Sequence, residues 1–144
     1  MENRRSILVD WIIQTSYNFN LLPESLFLTV NIIDRYFAKN HKIKNSEVQL
    51  VGVSAMLVAT KYEEIYPPLL KDFVYISENN CSAEDILEME KLILFSLDFD
   101  IQLTSCYRFL ERFSKIVKLD SVTFNLAVFM LELGLLDSKM SMFA

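Results

Sequence analysis

The stretch that decides the fold is Val48–Pro68, VQLVGVSAMLVATKYEEIYPP. Its first half is apolar almost without interruption, and a helix that is apolar on most sides belongs at the centre of a bundle. Asn45 and Ser46 offer a cap just before it, Ser46 and Gln49 have the form of a capping box, and the helix is expected to reach about Tyr62. Gly52 suits a central helix. Without a side chain it lets a neighbour come close, at a cost of about 1 kcal/mol of helix propensity relative to alanine. Counting back from Lys61 at helical spacing gives Leu57, Ser54, Val53 and Leu50, so a charged side chain extends the apolar stripe. Pro67 and Pro68 then end the pattern.

The flanks read as helices too. Ile7, Leu8, Trp11, Ile12 and Thr15 recur at three- and four-residue steps, which predicts a first helix from about Arg4 to Phe19, stopping before Pro23. A second begins near Glu24 and carries Leu26, Leu28, Val30, Ile32, Ile33 and Phe37. After the prolines a short helix is expected over 69–76, and Ser82 caps a fifth over 83–96 with Ile86, Met89, Ile93 and Leu94 in its stripe. LDFDIQLT, 97–104, reads as an extended linker. Thr104 and Asp120 then cap two more helices, over about 105–117 and 121–136, which repeat the layout of the opening pair. The chain is therefore expected to be all-α: five helices over 1–101, then the first two of an incomplete second set within 102–144.

Composition agrees. With 144 residues the chain suits one compact unit able to bury roughly 70% of its unfolded surface. Two glycines and three prolines leave few turns, favouring long helices over a sheet of hairpins. The net charge is −5, and residues 46–100 hold three lysines against eleven carboxylates, so there is no general pull toward phosphate backbones. The lysine-rich KNHKIKN, 39–45, reads as a solvated turn. Cys81, Cys106 and the lone His41 cannot assemble a metal site, and the two cysteines read as free thiols in a reducing compartment. With no signal peptide and no long uncharged apolar run, the protein is expected to be intracellular and soluble.

Catalytic signatures are missing from the sequence. Two isolated glycines make no phosphate loop, His41 has nothing to orient it, and the adjacent Glu63 and Glu64 point in different directions on a helix. No cofactor and no catalytic residue is expected, which points away from an enzyme. What remains is a pair of charges in odd places. Lys61 extends one stripe, and Glu90, four residues from both Ile86 and Leu94, interrupts another. Burying either alone costs several kcal/mol. They are expected to meet each other or a partner's polar groups, the alternative being that Lys61 snorkels to water while Glu90 sits at the stripe's edge.

RRSILVDWI, NIIDRYF, VQLVGVSAMLVATKYEEIYPP and ILEMEKLILFSLDFDI, taken in order, resemble the cyclin box of A- and B-type mitotic cyclins. The likeness runs over 4–101 and continues more weakly to LLD at 135–137. It implies a non-catalytic subunit that binds and activates a cyclin-dependent Ser/Thr protein kinase, found in nucleus and cytoplasm and acting in mitotic control of the cell cycle. By resemblance, Lys61 and Glu90 hydrogen-bond backbone near the kinase's regulatory C helix, while Val58, Tyr62, Leu94 and Ile101 form the apolar socket for that helix. Arg5 and Asp34 match a structural pair that fastens the first helix to the bundle, and Leu50 matches a core leucine.

The resemblance also implies a groove for Arg-x-Leu motifs of substrates or inhibitors, at Arg4, Ile7, Leu8, Trp11, Gln14, Val48 and Gln49. Here Arg4 replaces a common methionine and would repel the motif's arginine, and Gln14 replaces the acid of A-type members, although B-type members also carry glutamine, so a groove that is weak or altered in preference is expected. RSIL, 5–8, fits a minimal destruction signal but lies within a packed helix and is rejected. The sequence lacks the usual N-terminal regulatory region and the later helices of the second repeat, which leaves a fragment and a short cyclin both open. Two other readings share the fold: a nucleic-acid adaptor of the transcription-factor type, disfavoured because only Lys39, Lys42 and Lys44 offer a basic face, and a decoy or scaffold that binds without activating. Val128, Leu131 and Leu135 are the residues expected to promote self-association.

Overall fold

α3, Asn45–Glu63, is the axis of the molecule. Every residue from Val51 to Thr60 is buried in the computed structural model, which describes residues 2–101 and 106–136. Around α3 pack α1, Glu2–Asn18; α2, Pro23–Lys39; α4, Leu70–Ile76; and α5, Ala83–Ser96. α6, Cys106–Val117, leans on α2, and α7, Ser121–Leu136, lies against α1. The described residues form these seven helices and no strand, so the all-α reading and its five-plus-two arrangement hold. None of the helices is long and apolar enough to cross a membrane.

The core gathers Val9 and Ile12 of α1, Leu28, Ile32 and Ile33 of α2, Met56 and Leu57 of α3, Phe73 of α4, and Ile86 and Ile93 of α5. Each such side chain contributes about 1.5–3 kcal/mol through removal from water. Gly52 stands where α1 comes closest: a Cβ there would lie 2.6 Å from Leu8 Cδ1.

Helix starts follow local chemistry, with one exception. Pro23 opens α2, and the Glu64 carboxylate accepts from Leu22 N at 2.8 Å and from Ser25 Oγ, so the end of α3 caps the start of α2. Ser82 Oγ accepts from Asp85 N at 3.1 Å, and Asp120 Oδ1 from Thr123 N at 2.7 Å. The bonds from Thr123 hold the Asp120 carboxyl below its usual range. The exception is α3. No capping box forms at Ser46 and Gln49, because the helix begins at Asn45 with Lys44 at the cap and no side-chain bond there, the Asn45 carboxamide oxygen instead accepting from Arg4 Nη1.

Helix ends use the left-handed region without glycine. Asn20, Glu78, Asn79, Asp98, Phe99 and Lys118 all have φ between 54° and 61°. The expected extended linker at 97–104 accordingly begins as a tight turn, Phe99 N donating to Leu94 O at 2.8 Å, and its residues from 102 on, with Thr104, lie outside the described part. The same holds for the Cys106 thiol, while Cys81 is a buried free thiol that burial pushes up in pKa. The lysine-rich segment is a connection between α2 and α3, where Lys39 Nζ donates to Ser96 O at 2.7 Å.

Three α1 side chains make polar contacts that tie α7 to α1. Arg5, only 7% exposed, donates from Nε and Nη2 to the two Asp34 oxygens at 2.7 and 3.0 Å and from Nη1 to Leu135 O at 2.7 Å. Ser6 Oγ donates to Leu136 O at 3.2 Å, so the open carbonyl end of α7 is closed by α1. Farther along, the Tyr17 hydroxyl donates to the buried Glu132 carboxylate, 2.6 Å from Oε2 and 2.8 Å from Oε1. The carboxylate pushes the phenol up to about 12.

These contacts set the rotation of α7 and correct the expected self-association residues. Val128, Leu131 and Leu135 are half-buried, and the apolar side chains facing outward are Val122, Leu126, Phe129, Met130 and Leu133. α7 is apolar around its whole circumference, so spacing alone could not choose the face.

Candidate partner-binding face and peptide groove

Lys61 sits in the last turn of α3 and Glu90 in the middle of α5, two helices that pack together. The ammonium donates to Glu90 Oε2 at 2.9 Å, with side-chain exposures of 52% for the lysine and 14% for the glutamate. The two misplaced charges thus meet each other, one of the outcomes their spacing left open, while half of the lysine stands in water. The pair therefore contributes no more than about 1 kcal/mol to the fold. Three ammonium protons and four carboxylate lone-pair directions exceed what one bond uses, leaving capacity for a partner's carbonyl and amide groups.

The side chains nearby divide into those the fold covers and those it leaves bare. Val58 is buried, and Leu94 and Ile101 are half-buried against the core. Tyr62 is exposed, and so are Phe95 and Phe99, whose rings meet edge to face with centroids 5.3 Å apart. Of the expected socket, Tyr62 and Leu94 lie nearest the charged pair in sequence, and Val58 is buried in the core. Phe95 and Phe99 were not singled out in the sequence. Phe99 falls in the segment expected to be extended, whereas the left-handed turn after α5 folds it back beside Phe95. A bulky aromatic residue at positive φ, left exposed, is a strained feature of the kind found at functional surfaces.

On another side of α3, a groove of about 430 Å³ runs between it and α1, lined by Arg4, Ile7, Leu8, Trp11, Asn45, Val48 and Gln49. Leu8 and Val48 are buried and form its floor, while Ile7 is exposed and Trp11 half-buried along its wall. The structure brings together all the expected groove residues but one. Gln14 does not line it, because its amide donates to Asp10 one turn back at 3.2 Å. Asn45 does, held across the head of the groove by Arg4. The expected pair of Arg5 and Asp34 is in bidentate contact, does not line this groove and belongs to the framework between α1 and α2.

Glu63 reaches Arg108 of α6 at 3.3 Å and Glu64 turns to the start of α2, so these neighbours share no site. Among the described residues no group of three histidine, cysteine or carboxylate side chains could hold a metal.

A five-helix bundle with a central buried helix, followed by helices that begin a second bundle, defines the cyclin-type fold. A viral cyclin from Herpesvirus saimiri superposes with a TM-score of 0.88 over 98% of this chain and 63% of its own, at 21% identity, which supports the fold alone. The family described as "Cyclin, N-terminal domain" matches residues 1–102, and "Cyclin, C-terminal domain" matches 104–144. The chain belongs to the cyclin family. It is 48% identical to a G2/mitotic-specific cyclin-B of Hydra vulgaris over 92% of this chain and 37% of that one. Cyclin-B1-3 of Arabidopsis thaliana is 46% identical over 99% and 34%. G2/mitotic-specific cyclin-2 of Medicago sativa is 42% identical over 99% and 43%. The chain spans between about a third and two-fifths of the length of these relatives.

Proposed function

We propose that this chain carries the kinase-binding part of a non-catalytic regulatory subunit, which binds and activates a cyclin-dependent Ser/Thr protein kinase in mitotic control, in nucleus and cytoplasm. The observation that carries the reading is the Lys61–Glu90 pair, weakly used by the fold, with the exposed Tyr62 next to Lys61 in the chain and the half-buried Leu94 one helical turn after Glu90. A helix laid on these side chains gains burial, and its unpaired end groups find a carbonyl acceptor's donor in Lys61 and an amide's acceptor in Glu90. A subunit that holds the kinase's regulatory helix in place completes the ion pair that phosphoryl transfer needs, and its preference for that conformation shifts the population toward it.

The groove of Arg4, Ile7, Leu8, Trp11, Val48 and Gln49 is the second element of the proposal, a docking place for substrate or inhibitor segments, with Trp11 as its anchor. The test is capture of a cyclin-dependent kinase by the chain, followed by phosphorylation of a histone substrate by the complex. Capture with phosphorylation supports the reading. Capture without it points to a decoy or scaffold, and salt-sensitive affinity for duplex DNA in place of capture points to a nucleic-acid adaptor.

A further inference from the structure

The side of α5 turned away from the core carries a surface that the fold does not use. Ile86, Met89 and Ile93 are the residues α5 buries. Glu84, Glu88, Leu92 and Phe95 follow one another at steps of four, four and three residues, so they share one face, on the solvent side. Its far half is apolar. Leu92 and Phe95 are each more than half exposed, and so is Phe99, which the turn after the helix brings back beside Phe95. Together they leave on the order of 300 Å² of apolar surface bare, a size at which a patch is often functional. A left-handed φ of 59° is costly for an aromatic residue, and the edge-to-face contact it allows returns no more than that cost. The near half is acidic. Glu84 and Glu88 are exposed, and among the described residues neither side chain has an ion-pair or hydrogen-bond partner. Lys91 is the one cation of α5, against Glu84, Asp85, Glu88 and Glu90. At the apolar end Lys39 of α2 is bound to Ser96 O, and the exposed Asp98 and Asp100 bring two further carboxylates to the turn.

We infer that the outward face of α5 is a docking surface, separate from the Lys61–Glu90 pair, for an amphipathic helix that is apolar at one end and basic at the other. The inference does not depend on the kinase reading. From Glu90 to Phe95 the helix turns by about 140°, so this face points away from the charged pair. The ridge from Glu84 to Phe95 is about 16 Å long, three turns at helical spacing, which is the relief that the side chains of a second helix fit. Bulky aliphatic side chains of that helix cover Leu92 and the two rings, while its lysines or arginines lie along Glu84 and Glu88. A helix acidic at that end meets two unpaired carboxylates instead. Exposed charge pairs change affinity only a few-fold, but attraction for one helix and repulsion for the other multiply to about tenfold.

Fluorescence polarisation with the full chain tests this, using a labelled helical peptide of about 15 residues with leucines along one half of a face and lysines along the other half. It is made in both chain directions, beside counterparts with glutamate in place of lysine. In one direction the lysine peptide is expected to bind about tenfold more tightly than its counterpart at low salt, with the gap closing toward 1 M, where the screening length falls to about 3 Å. Phe95→Ala should weaken it about tenfold, and Glu84→Lys with Glu88→Lys should reverse the order of the two peptides. These side chains are exposed, so circular dichroism should show each variant folded. Lys61→Ala should leave the peptide affinity unchanged. Equal affinities for lysine and glutamate peptides, binding indifferent to Phe95→Ala, or no binding at millimolar concentration overturns the surface. A loss in Lys61→Ala that matches the loss in Phe95→Ala would overturn its separateness from the Lys61–Glu90 pair.

Discussion

Replacing Arg5 by alanine takes away three hydrogen bonds at once, two to Asp34 and one to the Leu135 carbonyl. The arginine is 7% exposed and the Asp34 side chain 24%, so a carboxylate loses its partner in a place that water reaches poorly. Breaking such a pair from one side costs about 3–5 kcal/mol, and the partial exposure of Asp34 argues for the lower end. The Leu135 carbonyl, at a helix end that can hydrate, adds roughly 1 kcal/mol. A total near 4 kcal/mol is a large share of the roughly 5–15 kcal/mol that stabilises a domain.

Urea unfolding followed by helical circular dichroism measures the loss, and hydrogen exchange on α7 locates it. Arg5→Lys, which keeps the charge but not the fork, should lose about half as much. Arg5→Met combined with Asp34→Leu should recover part of the stability, since no charge is then left buried alone. A loss below about 1 kcal/mol for Arg5→Ala, with exchange on α7 unchanged, would refute the assignment of Arg5 as the clasp between the two helix sets.

The remaining predictions concern other joints of the structure. Tyr17→Phe leaves the buried Glu132 carboxylate without its donor and should cost about 1–3 kcal/mol by the same unfolding measurement. The Tyr17 phenol is raised from 10.0 to about 12, so its contribution is complete below pH 10 and is lost as the pH rises toward 12; an ultraviolet titration should show a late phenol that disappears in Tyr17→Phe. Gly52→Ala places a methyl 2.6 Å from Leu8 Cδ1, and overpacking of about 1–3 kcal/mol against a propensity gain of about 1 kcal/mol predicts a net loss near 1 kcal/mol, with Leu8 pushed toward the groove. Lys118→Gly relieves a left-handed residue at φ 54° and should raise stability by about 1 kcal/mol, visible as a higher urea midpoint.

The reach of the sequence varies from place to place in the molecule. The central helix was legible because an apolar run with Gly52 in it has few other homes, and Lys61 and Glu90 stood out because both charges fall on apolar stripes, while their spacing left open whether they meet each other, a partner or water. Most of the groove could be placed for the same reason: Ile7, Leu8 and Trp11 share one helix face, and Val48 and Gln49 begin the helix opposite. Gln14 and Asn45 exchanged roles, since one amide is taken by Asp10 and the other by Arg4, choices that depend on neighbours in space. The Glu132–Tyr17 contact joins residues 115 apart in the chain, and nothing periodic announces it. Turns were the hardest to read. This chain places Asn20, Asp98, Phe99 and Lys118 in the left-handed region where glycine would have marked them, and Phe99 was thereby missed as part of the exposed aromatic pair.

The central claim is that Lys61 and Glu90 serve a partner more than they serve the fold. The direct measurement is calorimetric affinity for a cyclin-dependent kinase, made on the unmodified chain and on Lys61→Ala, beside urea unfolding of both. The fold should change by less than about 1 kcal/mol, because the lysine is half in water. Affinity should fall at least 100-fold, which corresponds to about 2.7 kcal/mol. Kinase affinity within threefold of the unmodified chain, or a loss of binding matched by a loss of folding, would contradict the account.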